Sequence, residues 1–233
     1  GLCLLAVRMK SFESGMFQKL AASQASGRGN FFRLFSTPER ALRYLSCIAV
    51  GLPIWFAVGV LVALCARFAE AGGASKDIAV GQAVMWAYVG ISFGDLVSGF
   101  LSQLLSSRRK VILAYLLFLT AVSGVYLTSH GLSALQFYAM TFLIGTGVGY
   151  WALFVTVASE QFGTDIRSTA ANTVPNFVRG AVVPITLSFT ALSAKWTVPG
   201  AAAWVGGVCV VLALAALANL KESFGKDLDY LED

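Results

Sequence analysis

Six stretches of mostly apolar residues, at about 44–66, 81–104, 111–128, 133–158, 174–193 and 200–220, decide what this chain can become. A helix rising 1.5 Å per residue needs about 20 apolar residues to cross the hydrocarbon core of a bilayer. Soluble domains are close to half apolar and about one quarter charged. This chain of 233 residues is 57% hydrophobic and only 12% charged. The sequence predicts an all-α membrane protein, a bundle of six transmembrane helices.

Basic residues set the expected orientation. Thirteen lysines and arginines fall in the gaps on one side: Arg8, Lys10, Lys19, Arg28, Arg33, Arg40, Arg43, Arg108, Arg109, Lys110, Arg167, Lys221 and Lys226. The other side carries Arg67, Lys76 and Lys195. Lys/Arg-rich loops are cytoplasmic, so both ends are expected in the cytoplasm of a multi-pass plasma (inner) membrane protein. Six crossings also return the chain to its starting side. A net charge of +5 placed this way suits membrane lipid as a partner and argues against nucleic acid. Residues 1–9 read as the end of a preceding transmembrane helix. Residues 10–43 read as a cytoplasmic central loop with amphipathic helices or an ordinary linker, 44–220 as the bundle and 221–233 as a cytoplasmic tail. Cys3, Cys47, Cys65 and Cys209 form no C-x-x-C pair, and His130 stands alone, so no metal or other cofactor is expected.

Several polar or helix-breaking residues interrupt the apolar runs. In the second, Gly90, Gly94, Ser98 and Ser102 recur every four residues, a stripe that lets another helix approach closely. Asp95 lies beside that stripe; an intramembrane carboxylate is a functional candidate by default, with an interhelical structural pair as the equal alternative. In the fifth, Asn172 or Thr173 is expected to cap the helix, with Pro175 in its first turn. Asn176 and Arg179 then share a face, and Arg179, about one turn inside the run, either snorkels back to the cytoplasmic interface or lines a polar cavity, the reading that Asn176 favours. The fourth run pairs Gly145 with Gly149 ahead of Tyr150 and Trp151. The first sets Pro53 beside Trp55. Interrupted helices at corresponding places in two three-span halves point to a transporter binding site.

The short polar elements between the runs resemble those of the C-terminal half, helices seven to twelve, of a major facilitator superfamily transporter of the sugar-porter and organic-ion-transporter type. "ESGMF", Glu13 to Phe17, is similar to the Pro-Glu-Ser-Pro-type element after helix six. "GFLSQLLSSRRK", Gly99 to Lys110, is similar to the glycine-to-basic signature between helices eight and nine, with Gln103 where an Asp is usual. "EQFGTDIR", Glu160 to Arg167, resembles the Glu-x-x-Pro-x-x-x-Arg element after helix ten, with Gly163 for the proline. "KESFGKDLDYLE", Lys221 to Glu232, resembles the Pro-Glu-Thr-x-Gly-x-x-Leu-Glu element after helix twelve.

The resemblance implies a 3+3 inverted repeat, half of a twelve-helix fold, whose partner is the N-terminal six-helix half. It implies a cytoplasmic latch from Glu13, Arg108, Arg109, Glu160, Arg167 and Glu222. It also implies a cavity for a small-molecule substrate lined by Trp55, Tyr150 and Trp151, with Asp95, Asn176 and Arg179 as binding or coupling candidates. The expected function is secondary active transport, symport or antiport, by alternating access, not an enzyme activity. An anionic substrate (from Arg179) and proton coupling (through Asp95) are the finer expectations. A transporter fold that senses or binds without flux is the alternative. An intramembrane serine protease is disfavoured, because "GTGVGYW" offers no serine and His130 lies in a loop.

Overall fold

Residues 30–226, with 230 and 232, are described by a computed structural model, and every regular element among them is helical. A 3₁₀ turn, Phe31–Phe35, buries Leu34. Thr37 then accepts a hydrogen bond from the Arg40 N–H and Pro38 takes the first turn, so α1 runs Pro38–Phe56. It starts before the expected residue 44, because the cap and the proline set a helix start that the charges of Arg40 and Arg43 hide from hydropathy. The predicted loop 10–43 therefore ends at Thr37, and residues 1–29, which include Glu13 and Cys3, lie outside the described residues. α1 passes into a π-helical stretch, Ala57–Val62, and then into α2, Cys65–Ala71. Pro53 has no N–H for the carbonyl four residues back, and the widened turns follow it.

The remaining helices are α3, Val80–Leu104; α4, Arg108–Thr128; α5, Ala134–Val148; α6, Trp151–Glu160; α7, Arg167–Gly180; α8, Val182–Ser193; and α9, Val198–Asn219. Ser107 caps α4, a Ser133–Gln136 capping box opens α5, and Thr197 caps α9. Five stretches are long and apolar enough to cross a membrane: Pro38–Val62, Val80–Leu104, Arg108–Thr128, Ala134–Glu160 and Val198–Asn219.

The expected fifth span, 174–193, differs. It is two helices, α7 and α8, of 14 and 12 residues, parted at Ala181. Pro184 cannot donate to the Gly180 carbonyl, which is where the ladder fails. α7 also begins at Arg167, so Asn172 and Thr173 are not caps. Their side chains donate to the carbonyls four residues back, Ser168 at 2.8 Å and Thr169 at 2.7 Å, and Pro175 lies inside the helix.

α3 shows how these helices pack. Ala83, Ala87, Gly90, Gly94, Ser98 and Ser102 are buried, while Trp86, Phe93, Leu96, Phe100 and Leu104 are exposed. Small residues inside and large ones outside suit apolar surroundings, where close backbone approach supplies the attraction. α5 is the partner. A Cβ on Gly90 would strike the Phe142 carbonyl, one on Gly145 the Ala87 carbonyl, and one on Gly149 the Gly94 backbone. The two glycine pairs read from separate runs form one interface.

Contacts sort the helix termini into two ends. At one end Arg43 meets Gln161, Arg108 meets Glu160, and Ser107 meets Glu222. At the other, Arg67 donates to Ser193, Gly131 to Gly72 and Ser75 to Leu132. The first end carries the lysine- and arginine-rich gaps and the second the sparse ones.

Candidate functional site

The predicted substrate candidates divide in the structure. Trp55 on α1 and Trp151, the first residue of α6, meet edge to face with centroids 6.1 Å apart. The Arg179 guanidinium, from the last turn of α7, lies 5.8 Å from each indole. Asn176 joins it by accepting from Arg179 Nη1 at 3.3 Å, while its own amide donates to the Asn172 carbonyl. A cation over two indole faces gains from the ring quadrupoles, and the guanidinium donors not given to Asn176 can meet an anionic group. The Trp55 indole N–H is buried without a hydrogen-bond partner in the structure, a donor in need of an acceptor.

Two expectations are corrected here. Arg179 and Asn176 are not buried in their run; both are exposed, because the polar stripe of α7 turns away from the core formed by Ala170, Val174 and Val178. Tyr150 is not a lining residue. It is fully buried, its hydroxyl donates to the Val50 carbonyl at 3.0 Å, and its ring packs edge to face on Tyr115. An aromatic beside a glycine break reads the same in sequence whether it faces a cavity or the core.

Asp95 reaches this group from α3. Its Oδ1 accepts from the Ala152 N–H at 3.0 Å. Ala152 is the second residue of α6, a helix that no side chain of its own segment caps. The half-buried carboxylate thus satisfies one of the orphan donors at that helix start.

The predicted latch assembles in part. Arg108 grips both oxygens of Glu160 at 2.6 Å, and Ser223 donates to Oε2 of that carboxylate at 2.7 Å. Glu222 makes no ion pair with Arg109. It accepts instead from Ser107 Oγ at 2.5 Å and from the backbone N–H groups of Arg108 and Arg109, capping the start of α4 from across the bundle. Burial pushes the Glu222 carboxyl up. The hydrogen bonds from Ser107, Phe224, Arg108 and Arg109 outweigh it and hold the group down at about 2. Arg167 turns back to the Phe162 carbonyl at 3.1 Å. Glu13 falls outside the described residues.

A second charge cluster at the same end escaped the sequence reading. Glu232 pairs with Arg43 at 2.8 Å and Arg40 at 3.4 Å, and Arg33 pairs with Asp165 at 2.6 Å. The Glu232 N–H donates to Asp165 and the Thr164 N–H to the Tyr230 carbonyl. The only prior signal was Asp165 and Glu232 inside elements already singled out for other residues.

A cavity of about 590 Å³ lies elsewhere, between α1, α8 and α9, with an apolar lining that includes Leu52, Ile185, Trp204 and Val208. It contains none of the candidate residues and is the kind of groove that lipid chains fill. Among the described residues no group of three or more His, Cys, Asp or Glu is placed to hold a metal.

No protein-family model matches the chain, and no curated protein matches it.

Proposed function

We propose that this chain is the C-terminal six-helix half of a secondary transporter of the major facilitator type, moving a small organic anion by alternating access. The observation that carries the reading is the group of Trp55, Trp151 and Arg179. It is a cation framed by two indoles, at an exposed face, beside the interruptions of two helices. Aromatic walls with one charged anchor are the usual chemistry of a small-molecule site. Helix breaks free backbone groups and allow a segment to move against its neighbour.

The remaining parts fit the same scheme. α7 and α8 together form the fifth of six crossings, and the 3+3 repeat relates spans one to three with four to six. The basic end of the bundle faces the cytoplasm. The charge clusters there are latches, ion pairs that bias one state and break in a cycle. Asp95 is the coupling group.

A thermal-shift screen of the full-length protein against organic anions, cations, sugars and neutral drugs tests the substrate class, since a ligand of the folded state raises Tm with occupancy. Stabilisation by anions and flux of the same compound in proteoliposomes are expected. Binding without flux would replace the transporter by a sensor, and stabilisation by sugars or cations alone would remove the anion assignment.

A further inference from the structure

The hydrogen bond between Asp95 and Ala152 joins a titratable group to the indole–guanidinium group through a single helix start. Ala152 follows Trp151 directly, and Trp151 touches both Trp55 and Arg179. The helix is interrupted beside this bond. Gly149 and Tyr150 leave helical geometry, with ψ of 34° and 15°, and α6 carries no side-chain cap of its own. The α3 side is fixed. Gly94 is held by the Tyr115 hydroxyl, which donates to its carbonyl at 2.8 Å, and by the tight approach of Gly149.

We infer that Asp95 is a proton-operated clasp: its carboxylate holds the first turn of α6 in place, and its protonation releases Trp151 and so resets the site that Trp151 shares with Trp55 and Arg179. The proton comes from water and adds to the carboxylate. No covalent bond changes; the hydrogen bond from Ala152, with the weaker backbone contact from Trp151, loses its charge assistance and about half its strength, together with the attraction between an anion and a helix start. Few other groups compete for the role. Asp95 is the one charged residue of α3, α5 has none, and α6 has only Glu160 at its far end. From α4, Tyr115 faces it with a hydroxyl already committed to Gly94. The functional meaning rests on the transport reading; the clasp itself does not, and neither does its test.

The test is the pH dependence of indole emission in the full-length protein, with every tryptophan except Trp55 and Trp151 replaced by Phe. The parent is expected to show one single-proton transition. Asp95→Asn keeps an acceptor but not the charge, so its emission should stay at the parent's low-pH limit at every pH. Asp95→Glu should restore a transition. Ala152→Pro removes the N–H donor at a position where the first turn tolerates proline. The Trp151 N–H remains, so this variant's transition should be much smaller than the parent's although Asp95 still titrates. A parent without a transition would overturn the clasp, as would Asp95→Asn or Ala152→Pro with the parent's transition intact. A transition without flux would leave the clasp standing and remove the transporter; flux without a transition would do the reverse.

Discussion

Tyr150 and Trp151 are neighbours with opposite fates, and the difference is one of direction. A helix restarts between them, so one ring points into the core and the other toward the exposed face of α7. Tyr150→Phe removes a buried hydroxyl together with its bond to the Val50 carbonyl. A net loss of about 1 kcal/mol is expected, seen as a Tm lower by a few degrees, with ligand affinity unchanged. A tenfold loss of affinity in this variant would return Tyr150 to the site. Arg179 is the reverse case. Its removal costs the fold little, since the side chain is exposed and a cation–π contact at such a site is worth about 0.5–1 kcal/mol. Arg179→Ala should therefore lower Tm by no more than a few degrees and weaken an anionic ligand at least tenfold, whereas Arg179→Lys keeps the charge and should weaken it only a few-fold. Isothermal titration with the ligand found by the screen measures both.

Elements were legible where one pattern had one meaning. The length of each apolar run located five helices long and apolar enough to cross a membrane, and four-residue spacing of small residues identified the faces of α3 and α5. Their pairing was not legible, because spacing marks a face and not its partner. The polar run Asn172 to Asn176 looks like a helix start and is a helix interior, because side chains that cap helices also bond back to carbonyls four residues earlier. The α3–α5 interface gives a direct check. Gly90→Leu forces a side chain into the Phe142 backbone and is expected to cost more than about 3 kcal/mol or to prevent folding. Gly124→Leu meets open space and should be nearly neutral. Equal melting temperatures for the two variants in detergent would show that the helices do not touch there. The start of α4 gives a second check, through acid. The Glu222 carboxyl is held at about 2 against an ordinary 4.5. The stabilisation it provides is full above about pH 4.5 and is lost as the pH falls toward 2. At this partly exposed site solvent screening limits it to about 1 kcal/mol. A Tm-versus-pH curve for Glu222→Gln should lie below the parent above pH 5 and merge with it near pH 2; parallel curves would mean that Glu222 does not cap α4.

At the scale of the molecule, parity is the strongest constraint. Arg40 and Arg43 stand in the first turns of α1, and their partner Glu232 follows α9. The start of the first crossing and the end of the last therefore lie at the same end of the bundle, so the number of crossings between them is even. Five helices of full length cannot close that count, whereas α7 and α8, 26 helical residues about a one-residue break, can. The other contacts agree: α8 ends beside Arg67 of α2, and α7 begins beside Asp165, which Arg33 holds. The basic end should face the cytoplasm, which single cysteines can report in a background without the native ones. Ser106→Cys and Lys226→Cys should react with a membrane-impermeant maleimide only in inverted vesicles. Lys76→Cys and Lys195→Cys should react only in intact cells. If Lys195→Cys is instead labelled from the same side as Ser106→Cys, then α7 and α8 form a re-entrant pair and not a sixth crossing. The clasp of Glu232 on Arg40 and Arg43 could then not form in a bilayer.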